Sequence, residues 1–199
     1  MRKMKKLSVR NCRFTGSQLN DMFKVFSEDE TNLEHLYIGN NNLIVDSEYL
    51  RKAVTKLTTF HCDNCNLVTS QISEMLTEVR DSDCNLEDLN IMLNPMIHIR
   101  HQLVADSLSK LVSVNLWGCD AITISLLDTI ISSNSVKLEH LNLGNHDLTF
   151  FAAPLVAESL IKLVSVTLSE CEMTGRQVNM LFTNIATKPN LKFAPKMFK

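Results

Sequence analysis

The chain has 199 residues, 45% of them apolar and 21% charged, and its 20 Lys and Arg against 22 Asp and Glu give a formal charge of -2. That balance belongs to a core-forming soluble protein, and it lacks the basic footprint that nucleic acid or an anionic membrane surface requires. No apolar run approaches the roughly 18 residues of a membrane span, and the start Met1-Arg2-Lys3-Met4-Lys5-Lys6 lacks a signal peptide's apolar segment. The expected setting is cytoplasmic, with no membrane and no nucleic acid as partner.

In chain order, one apolar template recurs: L-x-x-L-x-L-x-x-N/C-x-L. It opens as Met4, Leu7, Val9, Cys12, Phe14, followed by Leu19, Met22 and Phe23 on one helical face. The second copy is Leu33, Leu36, Ile38, Asn41, Leu43, with Tyr49, Leu50 and Val54 as its helical face. The third is Leu57, Phe60, Cys62, Cys65, Leu67 with Ile72, Met75 and Leu76, and the fourth Leu86, Leu89, Ile91, Asn94, Met96 with Leu103, Val104 and Leu108. Then come Leu111, Val114, Leu116, Cys119, Ala121, and next Leu138, Leu141, Leu143, His146, Leu148 with Leu155, Val156 and Leu160. The seventh copy is Leu163, Val166, Leu168, Cys171, Met173 with Val178, Leu181 and Phe182, and Leu191 and Phe193 read as a degenerate eighth strand. Copies start near 4, 33, 57, 86, 111, 138, 163 and 191, so long and short units alternate as pairs of about 53 residues. The ninth position alternates too, reading Cys, Asn, Cys, Asn, Cys, His, Cys.

In these motifs the chain resembles the leucine-rich repeat family, specifically the ribonuclease-inhibitor-like class with alternating Cys-type and Asn-type units. The resemblance covers residues 4 to about 193 and departs at His146, where Asn is expected, and in the shorter link after each Asn-type unit. It implies a single domain over 1–199 of about seven repeats plus the degenerate strand. The fold expected is an α/β right-handed solenoid, a horseshoe arc with parallel strands on the concave face and helices on the convex face. The class includes ribonuclease inhibitor, the sensor ends of nucleotide-binding immune receptors and RanGAP-like GTPase activators.

The residues exclude more than they name. The five glycines are too scattered for GxGxxG or GxxxxGK, and HExxH and GxSxG are absent, so no cofactor is expected. Cys62 and Cys65 make a CxxC behind His61, yet both fall in template slots that also take Cys12, Cys119 and Cys171, so they are read as buried structural thiols. His98 and His101 have ligand-like spacing without a carboxylate or thiol beside them, and no metal site is expected. His146 is read as a substitute turn cap. His61 and Cys62, adjacent on a strand, face opposite sides and cannot act as base and nucleophile; no catalytic residue is expected.

Template positions three, five and seven should project from the concave face as ladders across the strands. They place Tyr37, His61, Asp63, Asn90, Met92, Asn115, Trp117 and Asn142 as the candidate partner-binding residues, with Trp117, the one tryptophan, as the anchor. The expected function is a non-catalytic protein–protein interaction module. The alternatives are a regulator such as a RanGAP-like GTPase activator or an inhibitor, for which Arg10 is the only strand arginine placed to serve, or the sensor fragment of a larger immune-receptor-like protein. The first copy starts at Met4 with no capping element before it, so self-association through that end is a further expectation.

Overall fold

The structure, a computed structural model, describes residues 4–27, 31–43, 45–96, 99–119, 127–128, 137–186 and 192–193. Ala121, His98 and Leu191, used in the sequence reading, lie outside these residues. Strands β1 (Lys6–Ser8), β2 (His35–Tyr37), β3 (Thr59–His61), β4 (Asp88–Asn90), β5 (Ser113–Asn115), β6 (His140–Asn142), β7 (Ser165–Thr167) and β8 (Lys192–Phe193) form one open parallel sheet in chain order. Between strands lie helices α1 (Gly16–Ser27), α2 (Ser47–Val54), α3 (Thr69–Asp81), α4 (His101–Leu108), α5 (Ala153–Leu160) and α6 (Gly175–Ala186). This is an α/β architecture compatible with a solenoid-like arc. No helix among the described residues is long and apolar enough to cross a membrane.

The register follows from the period-two pattern. Leu36, Phe60, Leu89, Val114, Leu141 and Val166 pair in one row across β2–β7, and all are buried. A slip of one residue would turn that row to solvent, which is why it is held. The helices cover the same side: Phe23 of α1 meets Phe60 edge-to-face at 6.2 Å, α1 packs on α2, α2 on α3, α3 on α4, and α5 on α6.

Each strand ends in a turn built from two template positions. At position eight the backbone is left-handed in every unit described: Asn11, Asn40, Asn64, Leu93, Gly118, Asn145 and Glu170 have φ between 50° and 63°. At position nine the side chain reaches back to the position-six carbonyl of the preceding unit. Asn41 Nδ2 donates to Val9 O at 2.8 Å and Asn94 Nδ2 to Cys62 O at 2.9 Å. The thiols of Cys65, Cys119 and Cys171 do the same to Ile38 O, Ile91 O and Leu143 O at 3.3, 3.1 and 2.9 Å. Asn94 also accepts from the N–H groups of Cys65 and Leu67, both at 3.1 Å, so one fully buried amide closes the turns of two units.

Two expectations need adjusting. Cys12, read as buried, is exposed, and its thiol faces Arg10 O of its own turn at 3.4 Å; β1 is the edge strand among the described residues, with no earlier carbonyl to reach. His146 does cap its turn, with Nδ1 at 2.9 Å from Leu143 O and 3.0 Å from Gly144 O, but its buried Nε2 has no hydrogen-bond partner among the described residues.

Candidate functional site: the open face of the sheet

With the helices on one side, positions three and five project from the other, and Tyr37, His61, Asn90, Asn115 and Asn142 form a single half-buried row. At its first end Lys6 Nζ sits 4.9 Å from the centre of the Tyr37 ring, and Tyr37 meets His61 edge-to-face at 4.8 Å. His61 Nε2 donates to Asp88 Oδ2 at 3.0 Å. Burial pushes the Asp88 carboxyl up, but the hydrogen bond and charge of His61, with smaller help from Ser113 and His140, hold it below the usual aspartate value.

Asp63 departs from the sequence reading. It is 1% exposed, and both its oxygens accept from Arg10, at 2.7 and 2.6 Å. The reason is Gly39 of the intervening unit, just past β2: a Cβ there would collide with the Asp63 carboxylate, so the missing side chain is the space that Asp63 fills. The ion pair thus joins the first and third units across the second. It also occupies Arg10, the residue that an arginine-finger mechanism would need free.

The middle of the face is polar and ordered. Asn90, Asn115 and Asn142 each accept at Oδ1 from the backbone N–H two residues on, at Met92, Trp117 and Gly144, with distances of 3.1, 3.1 and 3.0 Å. Because only the oxygen can accept, this bond fixes the amide and turns Nδ2, a donor, away from the turn. The row borders a shallow groove of about 290 Å³ lined also by His61, Asp88 and His140. His140 Nδ1 is 2.7 Å from Ser165 Oγ. Trp117 is half-buried rather than free: its indole lies where a Cβ on Gly144 would be, while Met92 Sδ is 3.9 Å from Asn115 Nδ2.

The thiols take no part in this face. Cys62 is fully buried in the core while its neighbour His61 faces the groove, and burial pushes the Cys62 thiol well up and that of Cys65 up to about 11.

Two features escaped the sequence reading. Gln71 and Gln177 hold their own helix starts and reach the preceding unit: Gln71 Nε2 donates to Leu43 O at 3.1 Å and Gln177 Nε2 to Phe151 O at 2.9 Å. Their equal offset from Leu57 and Leu163 was the available signal. Leu93, beside Met92, is 40% exposed with φ of 57° at a position that four other units fill with Asn. A β-unbranched aliphatic residue where the backbone favours Asn or Gly was legible as an anomaly. Compared with known proteins, the chain matches no family model and no curated protein.

Proposed function

We propose that this chain is a leucine-rich-repeat recognition module of the cytoplasm that binds a protein, without catalysis, through its open strand face. The observation that carries the reading is the row Tyr37, His61, Asn90, Asn115 and Asn142, with Met92 and Trp117 beside it. The row is half-buried and in register across consecutive strands, and its three asparagines are fixed by their own turns. A row held rigid before binding loses little side-chain entropy on contact, and a broad shallow face suits a protein better than a small molecule. The engagement of Arg10 by Asp63 counts against the GTPase-activator alternative.

The test is affinity capture from lysate with wild type, Trp117→Ala and Tyr37→Ala, each checked for native folding by circular dichroism. A defined protein retained by wild type and lost from both variants supports the reading. Folded variants that capture the same set as wild type overturn it and redirect attention to the helical side.

A further inference from the structure

Met92 is half-buried on the open face, and its Sδ lies 3.9 Å from Nδ2 of Asn115 in the next unit. That amide is held one way round, because its Oδ1 accepts from the N–H of Trp117 at 3.1 Å, and Nδ2 is therefore the end that the sulfur meets. A thioether accepts only weakly, so the donor gains little from this neighbour. The separation suits an oxygen atom set between the two: an S–O bond of about 1.5 Å, an N–H···O separation of about 2.9 Å and an angle of about 120° at the oxygen put sulfur and nitrogen about 3.9 Å apart.

We propose that Met92 is a modification site, oxidised to the sulfoxide by a peroxide, and that the added oxygen accepts from Asn115 Nδ2 and so switches the recognition face. The effect on a partner rests on the recognition reading above; the chemistry at Met92 does not. A lone pair of Sδ attacks one oxygen of hydrogen peroxide and the O–O bond breaks. The sulfur is oxidised by two electrons, and the transferred oxygen passes its proton to the departing hydroxide, which leaves as water. Two things change at the face: a polar oxygen stands beside Trp117 in place of an apolar sulfur, and the Asn115 donor is engaged within the chain instead of being presented to a partner.

The other methionines supply the controls. Met75 and Met96 are buried in the core, while Met4, just before β1, is 42% exposed. Exposure alone makes Met4 oxidise readily, but its sulfoxide has no bearing on Asn115.

The test treats the protein with hydrogen peroxide, follows the sulfoxide at each methionine by mass spectrometry, and records the side-chain amide resonances of Asn90, Asn115 and Asn142. The Asn115 amide is expected to move downfield in step with the Met92 sulfoxide and not with that of Met4, while the Asn90 and Asn142 amides stay in place. The two epimer-specific methionine sulfoxide reductases, with a thiol reductant, should return it. Met92→Leu, a swap of similar volume, should abolish the shift. Met92 left unoxidised where Met4 is fully converted, an Asn115 amide that ignores the Met92 sulfoxide, or the same shift in Met92→Leu overturns the proposal. In the capture experiment, oxidised wild type should retain about fivefold less of the captured protein than reduced wild type, the worth of about one hydrogen bond, and oxidised Met92→Leu as much as its reduced form. Equal capture by oxidised and reduced wild type overturns the switch. Wild type that captures nothing in either state overturns the recognition reading and with it the effect on a partner, while the resonances still decide the chemistry at Met92.

Discussion

Gly39 and Gly144 occupy the same template position, just past β2 and β6, and each makes room for a large side chain from a neighbouring unit, the following one at Gly39 and the preceding one at Gly144. At Gly39 the guest is Asp63, buried and held by the two terminal guanidinium nitrogens of Arg10. At Gly144 the guest is the indole of Trp117, which stays half-exposed beside the groove. One device therefore yields a structural clamp in the first three units and a presented aromatic in the fifth. The two guests differ in their setting: Arg10 lies over Asp63 and bonds both its oxygens, whereas Trp117 stays half-exposed.

The largest expected effect comes from filling the first of these spaces. In Gly39→Ala the new methyl displaces a buried carboxylate from the Arg10 guanidinium, which should cost about 2–4 kcal/mol in urea unfolding. In Gly144→Ala the indole can swing outward, so the loss should be smaller and the Trp117 emission should move to the red; the nearby Ser169 carbonyl keeps it from being nil. Equal losses with no change in emission would mean that the two sites are equivalent and the clamp is no clamp.

Next in size is Arg10→Ala. It leaves Asp63 buried without its partner, and because the arginine side chain is itself 39% exposed, water can enter and the cost should be about 2 kcal/mol rather than the larger figure of a sealed pair. Adding Asp63→Ala should return part of that loss. A double variant no more stable than Arg10→Ala would show that the pair is not coupled.

What was legible in the sequence, and what was not, divides along the same line. The rows Lys6, His35, Thr59, Asp88 and Leu36, Phe60, Leu89 come out in the register read from the template, because a period of two decides which face a side chain takes. So does the role of Asn41, Asn94, Cys65 and Cys171 at the turn, where the residue type itself carries the hydrogen bond. Period says nothing, however, about the volume left by neighbours on adjacent strands. The burial of Asp63 depends on a glycine 24 positions back and an arginine 53 back, and no single template copy contains all three. Leu93 was missed for the opposite reason: its signal was local, but it appears only when position eight is compared among copies.

A smaller effect tests the turns. Glu170 has φ of 62° and is exposed, so Glu170→Asn relieves a strained backbone and should raise stability by about 0.5–1 kcal/mol. A fall in stability would mean that Glu170 makes a contact that outweighs the strain.

The smallest effect separates the buried ion pair from the half-exposed one. His61 and Asp88 are 21% and 37% exposed and 3.0 Å apart, so solvent screens them and their contribution should amount to a few tenths of a kcal/mol. Its sign is fixed by the carboxyl: with the folded Asp88 value below that of the unfolded chain, the pair adds stability that is complete above about pH 4 and is lost as the pH falls through the folded value. In His61→Ala the lowering hydrogen bond disappears while burial remains, so the Asp88 carboxyl, followed by carbon-detected NMR, should titrate at a higher pH than in wild type. An unchanged midpoint would transfer the lowering to Ser113 and His140. His61 would then be free to turn toward a partner.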